Sequence, residues 1–315
     1  MPIKIPDDLP ARRKLEAEGV MVMRAADAVR QDIRPLRIGL LNLMPNKIST
    51  ETQIARLLGA TPLQIELSLV QITDHAPRNT PAEHMLSFYR PWEEVKHERF
   101  DGFIVTGAPV ERMPFEDVTY WDELRRIFDW TQTHVHRSLN ICWAAQAAVH
   151  HFHGMQKYDL PGKAFGIFRH QIPAPAATSP YLRGLADEFA VPVSRWSEVR
   201  KSEIPADSGV VVLAESEETG LCLLDDTRHR ALHMFNHLEY DTHSLGDEYF
   251  RDINAKIDVA LPVDYFQKND PTRPPVNSWR GNAHILYGNW INEIYQTVPF
   301  DIAKIGEPEA AEVAA

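Results

Sequence analysis

From Leu36 onward the chain alternates short apolar runs with amphipathic stretches. Residues 36–43 are almost continuously apolar and end in Met44-Pro45-Asn46, the pattern of a buried parallel strand followed by a loop. Residues 50–58 have helical spacing, with Thr50 as N-cap and Gly59 as stop. Residues 63–72 are apolar and β-branched, a second strand, and 82–97 read as a helix. A third strand over 100–106 breaks at Gly107-Ala108-Pro109 and is followed by an amphipathic helix over 117–134. A short strand at 138–141 runs directly into a helix at 143–153.

Later positions are less regular. Strands are expected at 209–214, 220–224 and 230–236, a helix at 244–255, a proline-rich turn at 270–275 and a closing helix at 283–295. Strands alternating with helices point to an α/β fold with a doubly wound, mostly parallel sheet. Residues 1–34 are polar and mixed around the apolar piece Val20-Met21-Val22-Met23, and read as an N-terminal arm. Residues 35–300 read as one domain, and 301–315, Glu/Ala-rich from Ile305, as a frayed, flexible tail.

Composition narrows the class. With 44% hydrophobic and 24% charged residues among 315, the chain is an ordinary globular protein. A net charge of −11 removes the bulk basic footprint of a nucleic-acid binder, and any anionic substrate must find a local cationic patch. Two cysteines, Cys142 and Cys222, are too few for a cysteine metal site or a disulfide framework. The first 18 residues hold no apolar signal core, and no run approaches the ~20 apolar residues of a membrane span. The expectation is a cytoplasmic protein with no membrane partner.

Candidate chemistry centres on Cys142, at a strand–helix junction within Leu139-Asn140-Ile141-Cys142-Trp143-Ala144. Such a residue is aimed out of the carboxyl edge of the sheet. A helix N-terminus favours the thiolate, and its N–H groups can hold an oxyanion. The plain alternative is a buried, inert cysteine. His237 and Glu239, two apart after an apolar strand, can supply an imidazole base and a carboxylate that orients it, although His-x-Glu alone is an ordinary surface-loop pattern. The loop Thr106-Gly107-Ala108-Pro109-Val110-Glu111 can bring a further N–H beside the nucleophile, or be a simple turn. His134 with His136, and His150, His151 and His153, come with no fixed carboxylate or cysteine set, so no metal is expected. The tryptophans read as core aromatics, and no phosphate- or dinucleotide-binding glycine motif is present.

Taken together, these segments resemble the homoserine O-acyltransferase family of methionine biosynthesis, on the class I glutamine amidotransferase (flavodoxin-like) fold. The resemblance runs from Met1 to about Phe300. It is carried by Arg34-Pro35-Leu36-Arg37-Ile38-Gly39-Leu40-Leu41-Asn42-Leu43-Met44-Pro45-Asn46-Lys47, residues 100–111, Asp117-Val118-Thr119-Tyr120-Trp121, Ile141-Cys142-Trp143, Ser194-Arg195-Trp196-Ser197-Glu198-Val199, and Glu239-Tyr240-Asp241 with Glu248-Tyr249-Phe250-Arg251-Asp252.

The resemblance implies a ping-pong transfer from acyl-CoA to L-homoserine. Cys142 would carry the acyl thioester, His237 would act as base and Glu239 would orient it. Lys163, Ser194 and Arg251 would contact substrate, with Arg251 suited to gripping a carboxylate in a bidentate fork. Glu111 falls at the family's donor-selecting position, where a carboxylate accompanies acetyl-CoA and glycine accompanies succinyl-CoA; a second negative charge there would repel a succinyl carboxylate. Acetyl-CoA is therefore the expected co-substrate, with no bound cofactor and a homodimeric assembly in which Val20 to Met23 is a contact. Lys47, in the loop after the first strand, is a weaker candidate on charge grounds, and Trp143, next to the nucleophile, is another.

The sequence departs from the common family pattern at Ala144, Asn236, Leu238 and Asn282, which bears on loop geometry and acceptor choice. Succinyl transfer, a glutamine amidotransferase-like cysteine hydrolase and a non-enzymatic metabolite-binding module are the alternatives.

Overall fold

The computed structural model describes residues 3–6, 8–18, 22–23, 34–73 and 80–307. In chain order its strands and helices are β1 (Ile3–Lys4), α1 (Pro10–Ala17), β2 (Val22–Met23), β3 (Leu36–Leu41), α2 (Lys47–Leu58), β4 (Ile65–Gln71), α3 (Ala82–Phe88), β5 (Tyr89–Pro91), α4 (Trp92–Val95), β6 (Phe100–Val105), α5 (Trp121–His134), β7 (Val135–Ile141), α6 (Trp143–His153), β8 (Tyr158–Gln171), β9 (Glu188–Glu198), β10 (Val210–Ser216), β11 (Gly220–Asp226), β12 (Ala231–Met234), α7 (Ser244–Asn254) and α8 (Arg280–Thr297). They build a sheet in the order β2-β1-β4-β3-β6-β7-β12-β11-β10-β8-β9, with β5 on β4.

From β2 to β12 every pairing is parallel, and from β12 to β9 every pairing is antiparallel. The parallel half is the doubly wound α/β unit anticipated from the pattern. One apolar cluster packs residues of α1, α2 and α8, among them Leu15, Ile54, Leu57, Trp290 and Ile294, on one face. Another packs α5 and α6, with Leu124, Phe128, Ala144 and Ala147, on the other. β3 is followed by β4 on one side and β6 on the other, so the order reverses there. A crevice opens at such a switch point, beyond the carboxyl ends of the strands.

Several expectations need correction. The sheet is mostly parallel as expected, but β8 and β9 add a long antiparallel pair that the apolar pattern did not reveal. Their polar and apolar positions do not alternate cleanly, since β8 passes from an exposed start to a buried end. The stretch 82–97 is two short helices around β5, and 117–120 precede the helix rather than begin it. Part of the N-terminal arm belongs to the sheet: β1 pairs with β2 and β4, and Leu9, Ala11 and Leu15 are buried. Val20 and Met21 lie outside the described residues. The tail is not frayed from Ile305: that residue is 2% exposed and its carbonyl accepts from Arg99. Residues 308–315 lie outside the description.

Candidate active site

β7 ends at Ile141 and α6 begins at Trp143, leaving Cys142 alone to make the turn. It does so at φ 53°, ψ −117°, a backbone conformation that costs a non-glycine residue roughly 1–3 kcal/mol. Its N–H donates to the Met234 carbonyl at 2.6 Å, which pins the turn to the end of β12. The neighbouring loop approaches closely because it has no side chain there: a Cβ on Gly107 would sit 3.1 Å from Cys142 Cβ. Ala144, where the resemblance expects glycine, lies fully buried within α6, so the strain is confined to Cys142. Trp143 does not face the crevice; it packs against Phe115 and Tyr120 in the core.

β12 delivers the second group. His237 follows it by three residues, and its N–H donates to Pro192 of β9 at 2.9 Å. The Cys142 sulfur lies close enough to the ring on one side for the two groups to interact electrostatically. On the other, Nδ1 lies 2.7 Å from Glu239 Oε1. All three residues are buried. Burial pushes the Cys142 thiol up, and the adjacent imidazole opposes that. Burial disfavours the charged imidazole, but the Cys142 sulfur and the Glu239 carboxylate outweigh it and hold His237 well above its ordinary value. The charged imidazole is therefore favoured from both sides, by the Cys142 sulfur and by the Glu239 carboxylate.

Asn236, another departure from the family pattern, anchors this loop. Its side chain meets Arg195 Nε at 3.3 Å and His170 Nε2 at 3.0 Å. Leu238 is buried in the core.

A cavity of about 420 Å³ opens over Cys142 and His237. It is lined on one side by Gly107 to Met113 and Trp196, and on the other by Lys163, Ser194, Tyr240, Glu248, Arg251 and Asp252. A larger open hollow of about 900 Å³ borders Glu239 and Tyr240 from behind but touches neither Cys142 nor His237, so the smaller cavity is the one that meets the chemistry.

The long pair β8–β9 and α7 build the polar end of this cavity. Lys163 Nζ bonds to Glu248 Oε2 at 3.1 Å and Asp252 Oδ2 at 2.9 Å. Ser194 also donates to Glu248 Oε2, and Tyr240 donates to Oε1 at 2.6 Å. Glu248 is pulled below the ordinary carboxylate value, Lys163 and its hydroxyl donors overcoming burial. Arg251 holds Asp252 through Nε and Nη2, yet its side chain is 64% exposed and faces the opening. Glu111 Oε2 accepts the Trp196 N–H at 2.6 Å, and burial raises its pKa.

Lys47 is elsewhere. It is the first residue of α2 rather than part of a loop, is 4% exposed, and donates to the Asn42 carbonyl. It does not line the cavity over Cys142.

Three contributors were not singled out by the sequence: Glu248, Tyr240 and Arg195. All three lie in stretches that carry the resemblance, but their roles depend on contacts among β8, β9, α7 and the turns beside them. Arg195 is buried beneath the site, bonded to the Ser197 and Thr219 carbonyls and Asn236, and its positive charge acts on Cys142. A cysteine and an imidazole held by a carboxylate, beside a cavity with fixed charges at one end, can form and discharge a thioester. No helix among the described residues is long and apolar enough to cross a membrane.

Comparison with known proteins agrees with this geometry. The family model described as homoserine O-succinyltransferase matches residues 2–300. Homoserine O-acetyltransferases of Brucella canis and Brucella melitensis biotype 1 are each 73% identical over 307 residues, covering 98% of this chain and 100% of theirs. Among solved structures, a glutamine amidotransferase from Thermotoga maritima aligns with a TM-score of 0.54 at 11% identity, covering 84% of this chain and 100% of its own. One from Methylobacillus flagellatus gives 0.51 at 16% identity, covering 83% and 95%. These two show the class I glutamine amidotransferase-like fold.

Proposed function

Because this chain belongs to the homoserine O-succinyltransferase family, we propose that it transfers an acetyl group from acetyl-CoA to the hydroxyl of L-homoserine, giving O-acetyl-L-homoserine and CoA. The observation that carries the acetyl reading is Glu111. It puts a second carboxylate at the acyl end of the Cys142 cavity, where a succinyl carboxylate would have to be desolvated against it.

The reaction runs in two halves. His237 takes the Cys142 proton, and the thiolate attacks the acetyl carbonyl carbon of acetyl-CoA. The resulting oxyanion is met by backbone N–H groups at the start of α6 and in the Gly107 loop. CoA leaves as its thiolate and receives the proton from His237. Homoserine then binds with its carboxylate on Arg251 and its ammonium toward Glu248. His237 removes the hydroxyl proton, the oxygen attacks the thioester, and Cys142 leaves as the thiolate. Glu239 holds the imidazole in one tautomer and stabilises its charged form, while Lys163, Ser194 and Tyr240 hold Glu248 in place.

Residues 35–300 act as one catalytic unit in this reading, working as a homodimer in the cytoplasm. β2, which carries part of the apolar arm piece, stands at the end of the sheet order among the described residues, and an end strand suits a contact between copies. A monomer mass by light scattering at working concentration would reject the dimer.

The deciding experiment is intact-protein mass after brief mixing with acetyl-CoA or succinyl-CoA without homoserine, for wild type and Cys142→Ala. An acetyl adduct from acetyl-CoA alone, absent in the variant, supports the proposal. A succinyl adduct overturns the donor assignment, and glutaminase activity in place of any adduct overturns the reaction.

A further inference from the structure

The histidines of 150–153 have no carboxylate near them in sequence, but the fold supplies one. Asp226, at the end of β11, lies fully buried below the last turn of α6. His153 Nε2 is 2.5 Å from Asp226 Oδ2, and His229 Nδ1, in the turn before β12, is 2.8 Å from the same oxygen. His233, on β12, directs Nε2 toward that oxygen from 3.7 Å. His150 and His151 are engaged elsewhere, with the Met155 carbonyl and Asp129.

We infer that His153, Asp226, His229 and His233 form a binding site for one divalent metal ion of the zinc type. Two buried orphans point to it. His233 is 0% exposed and its Nε2 has no hydrogen-bond partner; 3.7 Å is too long for a bond to Asp226. Asn140 Oδ1, on the other side of the same ring, is also without a partner, while Asn140 Nδ2 makes only a 3.3 Å contact with His233 Nδ1.

Turning the Asn140 amide over lets Nδ1–H donate to Oδ1. The Nε2 lone pair is then left aimed at a carboxylate oxygen, an arrangement that calls for a cation between them. A metal-ligating imidazole whose other N–H is held by an oxygen acceptor has this form.

Asp226 Oδ2 and the ligand nitrogens of His153 and His229 lie within 4.8 Å of one another, and His233, which stands further off, would close on the ion to complete a tetrahedral set of three imidazoles and one carboxylate suited to zinc. Ligand atoms ~2.0–2.1 Å from zinc stand about 3.3 Å apart, so His153 and His229 would retreat from Asp226 Oδ2 by about half an ångström or more. His229, whose side chain is 18% exposed, gives the ion its way in, while that of His153 is buried. The site joins the end of the helix that starts at Cys142 to the hairpin β11–β12 that leads to His237, so its work is to brace the site rather than to react.

The test uses the full chain carrying Cys142→Ala, which removes the active-site thiol as a competing ligand, stripped of metal with a chelator. Titration with Co²⁺ should give tetrahedral visible bands saturating at one ion per chain, displaced by Zn²⁺. Zinc at about a hundred times its Kd should raise Tm by roughly 5 °C. His229→Ala and His153→Gln, each shown by its metal-free Tm to be folded, should lose the bands and the Tm rise. No Co²⁺ bands in the parent at micromolar metal, or bands unchanged in both folded variants, would overturn the site.

Discussion

Tyr240 lies flat against the His237 imidazole, ring centroids 4.1 Å apart at 20°, while its hydroxyl donates to Glu248 Oε1 at 2.6 Å. One side chain thus links the base to the charged end of the cavity. The two uses separate in Tyr240→Phe, which keeps the stack and removes the donor. A hydrogen bond to a charged group contributes about 1.5–3 kcal/mol. The expected result is a KM for homoserine raised roughly tenfold or more, with acetyl-enzyme formation at its wild-type rate. Equal losses in both half-reactions would show that Tyr240 serves the base instead.

Cys142, His237 and Glu239 should behave as a unit. Cys142→Ala is expected to lower kcat by roughly three orders of magnitude or more, and His237→Asn in the Cys142→Ala background to cost little further. Steady-state rates of the two single variants and the double variant check this; fully multiplicative losses would mean that the two side chains act independently.

Glu111→Gly should shift donor choice. The half-buried carboxylate is removed along with its repulsion of a second carboxylate. The ratio of kcat/KM for acetyl-CoA to that for succinyl-CoA is expected to fall roughly 10- to 100-fold, since like charges brought together cost several kcal/mol. An unchanged ratio would locate donor choice elsewhere in the cavity.

His170 gives the fold a defined acid sensitivity. It is fully buried, its Nδ1 donates to the Phe168 carbonyl, and its Nε2 accepts from Asn236 Nδ2 at 3.0 Å and Thr219 Oγ1 at 3.2 Å. Burial lowers its pKa to about 4 from an ordinary 6.5. The neutral ring is favoured in the folded state, so its stabilisation is complete above pH 6.5 and is lost as pH falls toward 4, by about 3 kcal/mol. Urea midpoints at pH 7 and pH 4.5 should fall further apart for wild type than for His170→Gln. Parallel falls would contradict the assignment. Protonation also removes the acceptor that holds Asn236, next to the base.

Much of this was legible in the sequence. The apolar runs at β3, β4, β6 and β7 and the helices between them follow from local periodicity, because strands buried on both faces must be apolar throughout. Cys142 was legible for the same reason, as the residue where the period changes from strand to helix. Glu111, Lys163, Ser194, His237 and Arg251 were marked by resemblance and do line one cavity.

What the sequence could not decide was set by pairing across long separations. Ser194 and Lys163 reach the cavity only because β8 and β9 pair antiparallel, and backbone hydrogen bonds leave no mark on side-chain pattern. Lys47 looked like a loop cation, yet its chain position put it inside α2, where packing turned the ammonium toward a backbone carbonyl. Glu248 and Asp226 are ordinary acids in their own segments. One became the centre of the polar end of the cavity because Lys163 and Ser194, 85 and 54 positions away, were folded against it, and the other gained His153, 73 positions away, beside the nearby His229 and His233. Local sequence fixes which elements form, since their period and caps are local properties. Tertiary contact decides which side chains share a charge, because that depends on distance in space alone.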